Sequence, residues 1–144
     1  MMDRPRADLE TTPDSGTGIR LSVIIPTYNR SAMAQLAVDS VLAQEDVDGK
    51  KLEIIVVNDG STDDTETVLR ARYHANPMVR IITTSRGRVS AARNVGIQAA
   101  RGELIGFLDS DDQWTPRAFA TAEWVFARYP ELVFVSLEGS LLAN

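Results

Sequence analysis

From Leu21 onward, short apolar runs alternate with longer stretches in which apolar positions recur every three or four residues. The short runs are strand-sized and rich in β-branched side chains, whereas the longer stretches have helical spacing. That rhythm predicts strands joined by crossover helices in a mostly parallel sheet. Residues 21–25 form the first predicted strand, ended by Pro26, which cannot donate to a ladder. Asn29 and Ser31 offer cap oxygens to a helix through Met33, Leu36, Ala37, Val41 and Leu42, which stops near Asp48 and Gly49.

Residues 52–57 are a nearly continuous β-branched run, as expected of a strand with helices on both sheet faces. A turn at 58–61 follows, and Thr62 or Asp63 caps a helix carrying Val68, Leu69 and Tyr73. Asn76-Pro77 breaks the chain before a third strand at 79–82. A basic loop at 85–88 leads into a helix over 90–100, where Gly102 is expected to supply a left-handed cap. A fourth strand at 104–108 runs into an acidic cluster, and then come a helix over 116–129 and a fifth strand at 132–136. Residues 1–19 read as a polar leader, 20–137 as one domain and 138–144 as a tail without a clear element.

Ligands of such sheets bind beyond the carboxyl ends of the strands. Polar clusters at 27–30, 58–64, 85–88 and 109–113 all follow predicted strands, so they should meet on one rim. Composition narrows what that rim can hold. The 144 residues are 44% hydrophobic and 24% charged, which suits a single globular core. A net charge of -5, with its basic residues scattered, argues against a nucleic-acid face. The absence of cysteine excludes disulfides, thiolate nucleophiles and thiolate zinc sites. No apolar run reaches membrane-spanning length and residues 1–19 lack a signal-like apolar core, so a cytoplasmic protein, free or peripheral at the membrane, is expected.

Asp109, Asp111 and Asp112 place three carboxylates within four residues at a strand end, where they repel unless a cation or solvent compensates. Oxygen ligands suit Mg2+ or Mn2+, which keep phosphate oxygens in their shell, so a metal-bridged diphosphate is implied. The competing reading is a solvated turn capping the next helix. Asp59 is a pure acceptor suited to a base N–H or ribose hydroxyl, although Asp59-Gly60 is also a good turn dipeptide. Thr27 and Tyr28 offer a hydroxyl and a stacking ring, or Tyr28 packs on the first helix. Arg30, Arg86, Arg88 and Arg93 are candidate phosphate donors. His74 is the single histidine, too isolated for a multihistidine metal site. Trp124 is assigned to the core, and Trp114, beside Asp112, is a candidate wall of a sugar pocket.

Four blocks occur in order: Pro26-Thr27-Tyr28-Asn29-Arg30, Val56-Val57-Asn58-Asp59-Gly60-Ser61-Thr62-Asp63, Ala91-Ala92-Arg93-Asn94-Val95-Gly96 and Phe107-Leu108-Asp109-Ser110-Asp111-Asp112. Together they resemble family 2 glycosyltransferases. The resemblance implies a Rossmann-like GT-A domain that takes a nucleoside-diphosphate sugar, UDP-linked by family preference, and transfers the sugar with inversion using a divalent metal. By position, Pro26, Thr27, Tyr28 and Arg30 would border the nucleotide, Asp59 would recognise the base, and Arg93 would lie near the diphosphate. Asp111 would contact ribose or metal, with Asp109 or Asp112 completing the metal site. The family's catalytic base lies in a downstream acceptor half, beyond Asn144, so the chain reads as a donor-binding portion with an incomplete sheet that favours self-association. The acceptor expected is a saccharide or a lipid-linked group.

Two readings compete with this one. A haloacid-dehalogenase-like phosphatase also uses an Asp-x-Asp pair and magnesium, but its nucleophile follows the first strand rather than the fourth. A calcium- or nucleotide-binding module without chemistry is the other, although neither acidic loop has the complete twelve-residue calcium pattern.

Overall fold

The two longest β-branched runs become the two central strands, because only there can a strand be apolar on both faces. The computed structural model describes residues 16, 18–47 and 51–136. Strands β1 (Leu21–Thr27) and β2 (Leu52–Asp59) are buried along their whole length. They are joined by β3 (Val79–Thr84) and β4 (Leu104–Phe107) in a parallel sheet of order β3-β2-β1-β4. Helices α1 (Ser31–Leu42), α2 (Thr65–Tyr73), α3 (Arg88–Ala99) and α4 (Ala118–Arg128) complete the described elements.

Strand alternation divides the core into two layers. Val23, Ile25, Ile54 and Val56 face one side and pack with Ala34, Val38 and Val41 of α1, Leu69 and Tyr73 of α2 and Phe119 of α4. Ile24, Ile55 and Val57 face the other side and pack with Ala92 of α3. The chain steps outward from β1 to β3 and then jumps back across the sheet through α3 to β4. That reversal puts a crevice beyond the carboxyl ends of β1 and β4, the place where open α/β sheets bind ligands.

Several local expectations changed. Pro26 lies inside β1, in register with Val57. The Leu108 N–H donates to the Ile24 carbonyl, so Pro26, two residues on, faces the same side at a level beyond the end of the β4 ladder, where no donor is needed. Neither Asn29 nor Ser31 caps α1, whose N-cap is Arg30 without a side-chain cap bond. Helix α1 ends at Leu42, and the stop expected at Asp48 and Gly49 lies outside the described residues. Helix α3 starts at Arg88, two residues early, with Arg88 at φ 69. The N-cap of α2 is Asp64, without a side-chain cap bond, rather than Thr62 or Asp63; Asp63 Oδ1 still accepts the Thr65 N–H at 2.9 Å, and hydrogen bonding from Thr65 holds its carboxyl below the ordinary value.

Gly102 is not a left-handed cap, since positive φ among described glycines occurs only at Gly16, Gly18 and Gly60. A Cβ on Gly102 would lie 2.6 Å from Ser22 N and 2.8 Å from Leu21 C, so glycine is needed there for close backbone approach. A buried polar knot draws the chain in: Ser22 Oγ donates to Glu53 Oε1 at 2.6 Å and accepts the Gly102 N–H at 2.8 Å, while Glu53 also takes the Arg101 N–H at 2.7 Å. Residues 132–136 form no strand, and Val133 is 89% exposed. The run is apolar enough for a strand but has no neighbour to pair with among the described residues. Trp124, expected in the core, is 62% exposed because it sits on the outer side of α4. Trp114 instead packs against the larger core layer, its ring 3.3 Å from a Cβ position on Gly106, and does not line the cleft.

Helices α1 and α2 are tied by a polar contact with a pH consequence. The Tyr73 hydroxyl donates to Asp39 Oδ1 at 2.7 Å and accepts from Arg72 Nε at 3.1 Å. Burial, reinforced by the Asp39 carboxylate, pushes its pKa up to about 12 from 10.0. A phenol whose folded pKa is raised contributes stability that is complete below pH 10 and disappears as pH rises towards 12. Urea unfolding across that window should therefore show the wild type losing about 1 kcal/mol, allowing for solvent screening, relative to Tyr73→Phe. Parallel pH curves for the two proteins would contradict this.

Candidate functional site

A cleft of about 660 Å³ opens at the carboxyl ends of β1, β2 and β4 and the start of α3. Each wall is the polar cluster that follows an element. The end of β1 and its loop contribute Pro26, Thr27, Tyr28 and Arg30, and β2 contributes Asp59. The loop before α3 and its first turns add Arg86, Arg88 and Arg93, and the segment after β4 adds Asp109, Ser110 and Asp111. All of the predicted nucleotide residues therefore meet in one place. Asp112 does not line the cleft but stands with Asp109 and Asp111 in a triad whose carboxylate oxygens can lie within 4.8 Å of one another.

The loops are held in register by Asn29, whose φ of 50 turns its amide towards the β2 loop. Its Oδ1 accepts the Thr62 N–H at 2.8 Å and the Asp63 N–H at 3.3 Å, and its own N–H donates to Ser61 Oγ at 3.0 Å. The side chain expected to cap α1 thus braces two walls of the cleft, a role that depends on the β1 and β2 loops being adjacent.

Asp59 is 3% exposed, and both its oxygens are engaged. Oδ1 accepts the Gly87 N–H and Oδ2 accepts from Arg86 Nη1, each at 2.8 Å. The Arg86 guanidinium also lies over the Tyr28 ring, 3.5 Å from its centroid. Tyr28 therefore faces the cleft loop rather than packing on the first helix. Thr27 Oγ1 and Arg93 Nε are buried without a hydrogen-bond partner among the described residues.

The acidic triad is less self-repelling than its spacing suggested. Arg93 Nη2 donates to Asp109 Oδ1 at 2.7 Å and Arg30 Nη1 to Asp111 Oδ2 at 3.2 Å. These pairs are half exposed, so each is worth about 1 kcal/mol or less and can exchange for another cation. An all-oxygen, exposed, close-spaced donor set fits a hard divalent ion better than zinc, which prefers nitrogen and sulfur.

A doubly wound parallel sheet with this rim defines a GT-A-type, Rossmann-like domain whose cleft is lined by both arginines and carboxylates. The comparisons make the assignment specific: the chain belongs to glycosyl transferase family 2, whose family model matches residues 22–132. It is 39% identical over 131 residues to chondroitin synthase of Pasteurella multocida (strain Pm70) and equally so to hyaluronan synthase of Pasteurella multocida, covering 86% of this chain and 13% of each relative. Among solved structures, S. aureus TarS 1-349 in complex with UDP-GlcNAc superposes with TM-score 0.71 at 28% identity, over 78% of this chain and 32% of that one. A mannosyltransferase from Pyrobaculum calidifontis in complex with GDP-Man and Mn2+ gives TM-score 0.69 at 29% identity, over 82% and 35%. The chain thus spans a small fraction of its curated relatives. Among the described residues no helix is long and apolar enough to cross a membrane.

Proposed function

We propose that this chain is the donor-binding portion of an inverting, metal-dependent glycosyltransferase and holds a nucleoside-diphosphate sugar, with a UDP-sugar favoured. The observation that carries the reading is the meeting, in one cleft, of a buried carboxylate beside an aromatic ring with Asp109 and Asp111 of the exposed acidic triad. Similarity to proteins solved with UDP-GlcNAc and with GDP-Man and Mn2+ supports it. Asp59 accepts an N–H on the edge of the base, Tyr28 offers a ring face, and the unpartnered Thr27 hydroxyl bonds ribose or base. Asp109, Asp111 and Asp112 hold Mn2+ or Mg2+, while Arg30 and Arg93, released from their acids, turn to the diphosphate.

When bound, the ion neutralises charge that develops on the departing diphosphate. The chain's own contribution is to fix the nucleotide so that the anomeric carbon is presented for a single displacement from the opposite face, which inverts it. The proton of the acceptor hydroxyl must pass to a base, for which no described residue is assigned. A saccharide acceptor is favoured by the relatives named for chondroitin and hyaluronan, with a lipid-linked acceptor as the alternative. Calorimetric titration with UDP and GDP, with and without manganese, tests the reading: metal-dependent binding of a nucleoside diphosphate is expected, and its absence would remove the proposal. Release of free sugar from the donor in the same samples separates turnover from binding alone.

A further inference from the structure

The two surfaces assigned to a nucleotide base are already engaged by a group of the same chain. The Arg86 guanidinium lies 3.5 Å from the Tyr28 centroid, and its Nη1 donates to Asp59 Oδ2 at 2.8 Å. A separation of 3.5 Å is a single van der Waals layer, so no base can enter between the two groups. The guanidinium also resembles what it excludes. It is planar, lays one face on an aromatic ring and points an N–H edge at a carboxylate.

The backbone and side chain of Arg86 are held very differently. A Cβ on Gly60, whose φ is +68, would lie 2.7 Å from Arg86 N, so the loop rests directly on the β2 turn where glycine leaves room. The Gly87 N–H anchors the same loop to Asp59 Oδ1. The Arg86 side chain, by contrast, is 50% exposed and can swing away about its own torsions while the backbone stays in place. Its departure leaves Asp59 Oδ2 as a buried acceptor without a donor, a costly state until another N–H arrives.

We propose that Arg86 is an internal placeholder for the base: it fills the Tyr28–Asp59 site in the empty protein and is displaced when the nucleotide enters. The exchange is one planar N–H donor for another. It therefore favours bases that bring an N–H to the inserted edge, as uracil and guanine do. It disfavours cytosine, whose ring nitrogen at that edge would set an acceptor against the carboxylate. The inference rests on the donor-binding reading above, and it adds a competing ligand built into the chain.

Titration with uridine, which has no phosphates for a freed arginine to bind, isolates the effect. Arg86→Ala is expected to bind uridine roughly five- to tenfold more tightly than wild type, the factor of a lost cation–π contact and partly exposed ion pair. Arg86→Met, which keeps an unbranched stem over Gly60, should do the same if the alanine variant folds poorly. In the wild type, the Arg86 Nε–H resonance should be shifted upfield by the Tyr28 ring and return to the ordinary arginine position at saturating UDP. Equal or weaker uridine binding by folded variants, or a resonance that stays shifted at saturation, overturns the placeholder. Failure of wild type and variants alike to bind any nucleoside diphosphate removes the donor reading and the placeholder with it. Equal uridine binding by folded variants that still bind UDP removes the placeholder alone.

Discussion

Asp111→Asn is expected to weaken manganese-dependent nucleotide binding by roughly 100-fold or more, since changes even to groups that only support metal ligands cost about 10- to 100-fold. Asparagine keeps the shape of the side chain but removes a charge from a triad whose oxygens can come within 4.8 Å of one another. Asp111 also pairs with Arg30 at 3.2 Å, so the variant frees a cation beside the diphosphate position. Metal-independent binding should consequently fall little, or even rise. Stability should change by less than about 1 kcal/mol, because the ion pair is half exposed. Titrations with and without manganese, beside a thermal melt, read the three effects separately. A variant that keeps wild-type manganese dependence would show that the acids are a solvated turn rather than a metal site.

Gly102→Ala is expected to destabilise the fold by about 3 kcal/mol, the upper part of the range for forced overpacking. The added Cβ would sit 2.6 Å from Ser22 N and 2.8 Å from Leu21 C, and both are backbone atoms of a central strand that cannot rotate away. Relief requires β4 to retreat from β1, which would loosen the bonds from Arg101 N–H and Gly102 N–H to the Ser22–Glu53 knot. Gly102→Asn discriminates between two accounts of this glycine. A left-handed cap would tolerate asparagine better than alanine, whereas close backbone approach penalises asparagine at least as heavily. Urea midpoints of the two variants decide between them, and an asparagine variant clearly more stable than the alanine variant would restore the cap.

Much of the fold was legible because its strongest signals are local. The runs at 21–25 and 52–57 are apolar on both faces, a pattern that only central strands of a covered parallel sheet can use, and those strands became β1 and β2. Sequence and structure diverge where a neighbour outweighs local preference. Pro26 is locally a strand terminator, yet the short reach of β4 leaves no donor needed on its side. Residues 132–136 have strand composition without a partner, and a strand is defined by its partner. Trp124 has the hydrophobicity of a core residue but occupies the outer side of α4.

The candidate site divides along the same line. The identity of the acidic triad, Asp59, Tyr28 and the arginines, and their placement after strands, followed from the sequence by itself, because side-chain chemistry and strand order are properties of the chain read in order. Which arginine pairs with which acid, the bracing of two loops by Asn29 and the seating of Arg86 on Tyr28 and Asp59 were decided only by the tertiary structure. Those contacts join residues separated by 16 to 81 positions, with energies of about a kilocalorie each, too small and too dependent on geometry to leave a pattern in sequence. The sequence specified the groups that line the cleft. Packing of the sheet determined which of them already occupy one another before any ligand arrives.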